Sequence, residues 1–271
     1  MRKFILLIAA CAIIAPMALS AQTYKEPEYS TETESDLQTR IGFDISKRII
    51  KGLNISWEEE LRLKDNITRL DRIHSSLGVT YRILPWFRVG TTYTFIAIDH
   101  NGKKSTDYKR YWDLRHRISA DLLFTYKTGN WSFSLRERPQ FTFRTDSINP
   151  LEKVKCAMVL RQRVKAQYSI YNMPLKPYVS VEVSNTLNAP DYAGGNYIDK
   201  VRSMLGVEWK LNKQSTLEFY YRFDYTYNRD ISVRGDDDHK GDSWHNKGDL
   251  KSLIVQKGYH HILGAFYSYS F

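Results

Sequence analysis

The chain has 271 residues, a formal charge of +10 and a mean hydropathy of -0.49, with 19 Tyr, 12 Phe and 6 Trp. Two cysteines exclude a disulfide scaffold, and no run of eighteen apolar residues supplies a membrane-spanning helix. No Gly-rich phosphate loop, Cys/His metal cluster or nucleic-acid module is legible, so no cofactor, metal or nucleic-acid partner is expected.

The first element reads as a secretory signal over residues 1–21. Arg2 and Lys3 precede the apolar run Phe4 to Leu19, and Ala18-Leu19-Ser20-Ala21 offers small residues for cleavage before Gln22. Ile8-Ala9-Ala10-Cys11 also resembles a lipoprotein box, but cleavage there leaves a very short apolar core. Loss of residues 1–21 removes Arg2, Lys3 and Cys11, lowers the charge from +10 to +8, and leaves Cys156 alone. Residues 22–271 read as one domain, since no Pro/Ser linker or charge block divides them.

That domain alternates apolar and polar residues with a period of two, the signature of strands with one greasy face. Eleven such segments are predicted: Asp36 to Lys47, Leu53 to Lys64, Arg69 to Ile83, Phe87 to Ile98, Tyr111 to Lys127, Trp131 to Arg144, Val154 to Tyr171, Tyr178 to Leu187, Ile198 to Leu211, Ser215 to Tyr227, and Tyr259 to Phe271. Connections alternate in length. Tight turns fall at 51–52, 84–86, 128–130, 172–174 and 212–214, with longer loops between them, the longest being Asn228 to Lys257. Aromatics such as Trp86, Phe87, Tyr126, Trp131, Tyr171 and Trp209 flank the tight turns. This is the pattern of a transmembrane antiparallel up-and-down β-barrel with short periplasmic turns and long external loops. A soluble sandwich shares the alternation but hides its apolar face. Even strand numbers favour twelve strands over ten, with Thr23 to Thr33 as the twelfth.

The last segment ends Tyr267-Ser268-Tyr269-Ser270-Phe271. It resembles the closing strand of Gram-negative outer-membrane barrels, in which Tyr267, Tyr269 and Phe271 would serve as the signal read by the barrel-assembly machinery.

The face opposite the apolar one is crowded with charge. Arg115/Arg117, Arg136/Arg138 and Arg161/Arg163 each stack two apart on one wall, and Arg222 joins them. Their inward acids include Asp44, Glu58, Glu60, Asp121, Glu182, Glu208, Glu218 and Asp224. The expectation is a lumen network of ion pairs, or a narrow pore or anion-binding conduit for small anionic solutes, because guanidinium groups bind carboxylate and phosphate through paired bonds. Glu59 and Glu137 fall on the apolar face, which suggests a register slip or a bulge near Pro139. Two other function classes stay open. A lipid-modifying hydrolase would use His74 and Ser76, which share a face; an adhesive surface protein would act through external loops such as Arg234-Gly235-Asp236.

Longer matches point to one family. Trp57-Glu58-Glu59-Glu60-Leu61-Arg62, Arg69-Leu70-Asp71-Arg72, Leu84-Pro85-Trp86-Phe87-Arg88-Val89-Gly90, Leu160-Arg161-Gln162-Arg163, Pro177-Tyr178-Val179-Ser180-Val181-Glu182 and Leu217-Glu218-Phe219-Tyr220-Tyr221-Arg222 span most of the exported chain. It resembles the outer-membrane barrels catalogued as domain of unknown function 2490. None of these stretches is a catalytic motif, so the resemblance implies a barrel in the outer membrane and no particular activity.

Overall fold

Strict alternation over eleven segments leaves each strand with one face that needs neighbours and one that needs apolar surroundings. The computed structural model describes residues 31–100, 111–144, 156–189, 197–233 and 250–271. Within them the chain forms eleven strands and no helix: β1 (Thr31–Ile50), β2 (Leu53–Lys64), β3 (Arg69–Leu84), β4 (Phe87–His100), β5 (Tyr111–Thr128), β6 (Trp131–Arg144), β7 (Cys156–Tyr168), β8 (Leu175–Thr186), β9 (Tyr197–Lys210), β10 (Ser215–Val233) and β11 (Leu250–Ser270). Each pairs antiparallel with the next, and the sheet closes into a barrel by pairing β1 with β11.

That seam is parallel, from Thr31 opposite Val255 to Ser46 opposite Ser270. Parallel closure is what an odd strand count demands. The barrel therefore closes on eleven strands rather than twelve: Thr31 to Thr33 belong to β1, and the rest of the expected twelfth strand lies outside the described residues. Because β1 runs toward the short-turn rim, it starts at the opposite rim, where the long loops join. The amide of Phe271 completes the seam at the short-turn end by donating to the Ser46 carbonyl at 2.9 Å.

The barrel is apolar outside and polar inside. Leu205 is 60% exposed, Leu77 58% and Val164 55%, whereas Ser119, Ser184 and Asp224 on the inner face are each 2% exposed. Aromatics ring the short-turn rim: Phe87 stacks on Phe124 at 4.8 Å, Trp131 meets Tyr168 at 4.9 Å, and Trp86 is 6.3 Å from Phe124. The tenth and eleventh strands run further than the alternation suggests. Asn228 pairs with Gln256 and Ile231 with Leu253, so the loop expected between Asn228 and Lys257 is strand at both ends.

Glu59 and Glu137 do lie on the outer face, without a slip. Glu59 accepts from the Trp57 indole at 2.8 Å and from the Ser75 hydroxyl. Glu137 stands opposite Leu122 and Gln162, and the register is continuous through Pro139, so the expected bulge is absent there.

Three inward aromatics lock neighbouring strands. Tyr178 of β8 lies opposite Gly206 of β9, Tyr220 of β10 opposite Gly264 of β11, and Phe266 of β11 opposite Gly42 of β1. A Cβ on Gly206 or Gly264 would fall within the facing tyrosine ring. Glycine lets each ring lie flat across the next strand, filling the bore with apolar surface.

Candidate functional site

Alternation sends every second residue of each strand into the lumen, and closure brings eleven such rows around one bore. On the short-turn side of its middle is a cavity of about 500 Å³. Ten cationic side chains line it (Arg40, Arg62, Arg88, Arg117, Arg136, Arg138, Arg161, Arg163, Lys165 and Arg222), against five carboxylates (Asp44, Glu58, Glu60, Asp121 and Glu218). Of the arginines singled out from sequence, Arg117, Arg136, Arg138, Arg161, Arg163 and Arg222 come together here. Arg115 does not: it sits higher on β5 and pairs with Asp113.

Three carboxylates organise the guanidinium groups. Glu182 of β8 accepts from Arg161 of β7 at 2.8 and 2.6 Å, from Arg136 of β6 at 2.9 Å, and from Arg202 of β9. One anion thus serves three cations and leaves a local surplus of positive charge. Asp224 of β10 takes Arg222 at 2.7 Å and Arg202 at 3.4 Å. Glu60 of β2 takes Arg62, with Arg40 at 3.7 Å. Separately, Asp121 holds Arg138 through two bonds of 2.6 and 2.8 Å, the planar fork geometry that fixes a guanidinium in orientation. Lys165 bonds Glu208 at 2.7 Å and lies 3.8 Å over the Tyr178 ring, whose hydroxyl donates to Glu218. Buried ion pairs of this kind add little net stability, because desolvation offsets attraction. What they do is hold long side chains in place.

The network divides the bore. A second cavity of about 770 Å³ opens toward the long-loop rim, lined by residues including Lys200, Thr226 and His260, and it shares no lining residue with the lower one. Between them stands a layer of ion pairs. Arg202 is placed midway between Met204, which lines the lower cavity, and Lys200, which lines the upper. Asp224 is likewise midway between Arg222 and Thr226. Ile262 and Ile96, both fully buried, add apolar bulk on the inner face.

The hydrolase pair is not assembled. The Ser76 hydroxyl bonds Thr94 at 3.0 Å, while His74 Nδ1 faces Arg62 at 3.2 Å. Since an arginine only donates, His74 Nδ1 accepts and the hydrogen sits on Nε2, which is buried without a partner. His260 and His261 point to opposite faces, His260 toward Gln38 inside and His261 to the Tyr221 hydroxyl outside at 2.7 Å. Among the described residues no group of three or more His, Cys, Asp or Glu could hold a metal ion. The Arg234 to Asp242 stretch lies outside the described residues. Tyr267 and Phe271 project from the outer face of β11, and Tyr269 packs edge-on against Phe271 at 4.8 Å.

The arginines are legible in the sequence; their hubs are not. In the sequence Glu182 and Asp224 are two inward acids among many, and Tyr178, Tyr220 and Phe266 carry no signal apart from the glycines they face. No curated protein matches the chain. A family model described as "Protein of unknown function (DUF2490)" matches residues 38–234, from within β1 to the end of β10, and the chain belongs to that family.

Proposed function

We propose that this chain is an outer-membrane β-barrel whose lumen is a narrow, anion-preferring conduit. The observation that carries the reading is a cavity lined by ten cations and five carboxylates, enclosed by a barrel with an apolar exterior. A barrel in water would expose the charges and bury the apolar face; this one suits hydrocarbon outside and water within. The aromatic ring beside the short turns fits the membrane interface, and the predicted signal over residues 1–21 would take the chain out of the cytoplasm. Tyr267, Tyr269 and Phe271 then serve as the signal for the assembly machinery.

Rings of arginine favour anions by supplying compensating charge where water is lost. The surplus around Glu182 is the local source of that preference. The ion-pair layer makes passage narrow, so small solutes are the cargo.

Single-channel recording on the refolded chain in a planar bilayer under a salt gradient tests this. Small steps with an anion-selective reversal potential are expected, and Arg136→Ala with Arg138→Ala lowers that selectivity. Silence from a chain shown to be a folded barrel overturns the proposal.

A further inference from the structure

The lower cavity is not evenly basic. Asp44 of β1 and Glu58 of β2 face each other in the ladder and line one wall. Neither takes part in an ion pair or side-chain hydrogen bond among the described residues. The other carboxylates of the cavity are engaged: Glu60 by Arg62, Asp121 by Arg138, and Glu218 by the Tyr178 hydroxyl.

In a ring of eleven strands, β6 and β7 stand across the bore from β1 and β2. That far wall carries Arg136, Arg138, Arg161 and Arg163. Among these, Arg163 is in no ion pair among the described residues. Paired charges cancel one another at a distance. An unmatched one does not, so a field crosses the bore from the Arg163 side to the Asp44/Glu58 side.

A simple anion in this cavity satisfies the guanidinium wall but leaves two carboxylates facing it. A simple cation meets the reverse problem. A molecule with both charges matches both walls at once, and a cavity of about 500 Å³ is of the size that holds a small molecule. Building on the conduit reading, we infer that the lower cavity selects small zwitterions of the amino-acid or dipeptide type. Their ammonium end turns toward Asp44 and Glu58, and their carboxylate toward Arg163.

Swelling of proteoliposomes containing the exported chain tests this with three probes of similar size: diglycine, N-acetylglycine and glycinamide. The zwitterion is expected to enter fastest and the cation slowest. Asp44→Asn combined with Glu58→Gln lowers the diglycine to N-acetylglycine ratio by about fivefold, the factor that one solvent-accessible ion pair supplies. These side chains have no bonds to lose, so the variant folds, which heat-modifiability on gels verifies. An unchanged ratio, with both probes still entering, overturns the zwitterion site and leaves the conduit standing. Entry of none of the probes, together with electrical silence of the folded barrel, removes the conduit and this inference with it.

Discussion

Neutralising Glu182 perturbs the lumen network at its most connected point. In Glu182→Gln the side chain keeps its shape and loses the charge shared by Arg136, Arg161 and Arg202. Arg202 retains Asp224 at 3.4 Å and Arg136 retains Asp121 at 3.9 Å, but Arg161 loses its carboxylate partner. Two guanidinium charges about 5 Å apart repel by about 3 kcal/mol at an effective dielectric of ~20. Breaking a buried pair from one side costs about 3–5 kcal/mol. Solvent in the adjoining cavity relieves part of this, so a loss of about 3 kcal/mol is expected at low salt. Urea unfolding in phospholipid vesicles, followed by tryptophan fluorescence, reads this as a midpoint lowered by roughly 1 M or more, given slopes of about 1–3 kcal/mol/M. Phosphate should restore much of it, because a free anion can take the place of the missing carboxylate. Adding Arg161→Met should restore more, by removing the stranded cation. A midpoint equal to the wild type and indifferent to phosphate would refute the claim that Glu182 holds three arginines together.

Three further outcomes follow from the same geometry. Replacing both Arg202 and Asp224 with alanine removes paired charges from the layer between the cavities, and unit conductance in planar bilayers should rise several-fold; an unchanged value means that the narrowest point lies elsewhere. Gly264→Val drives a side chain into the Tyr220 ring and should destabilise the barrel by about 1–3 kcal/mol, with Tyr220→Ala reducing that penalty in a double-mutant cycle of urea midpoints. An epitope placed directly before Thr31 should bind antibody on intact cells, while one inserted after Gly129, where no atom lies within 4 Å of an added Cβ, should bind only after permeabilisation.

Local chemistry made much of this barrel legible. β2 and β6 have the bounds their residues suggest, because Lys51-Gly52 and Gly129-Asn130 are turn residues beside clean alternation. The alternation is readable only where the outer face is apolar. At Asn228 and Arg229 that contrast fades, yet backbone pairing continues with Gln256 and Val255. Closure is a property of the whole ring, so an even count could not be checked against any local stretch. The inward arginines were visible by period alone. Their partners were not: Arg136 reaches Glu182 two strands away, a contact set by stagger and side-chain length. Phe266 broke the pattern of the closing strand, and the reason sits opposite it, at Gly42, more than two hundred residues earlier.

The parallel seam also bears on how this protein is made. Ten of the eleven strand pairings join neighbours in sequence, so each can form as the chain lengthens. The eleventh joins β1 to β11 across nearly the whole domain, and its loop-closure entropy is the largest in the structure. β1 must wait, its edge unpaired, until β11 arrives. An unpaired edge of that length is open to pairing with another chain, and β11 removes it, with the Phe271 amide just beyond its end bonding Ser46 of β1. Because the two ends of the wall open on opposite rims, a peptide fused ahead of β1 would be displayed on the side away from the C-terminus, which makes the seam a topological device as well as a joint.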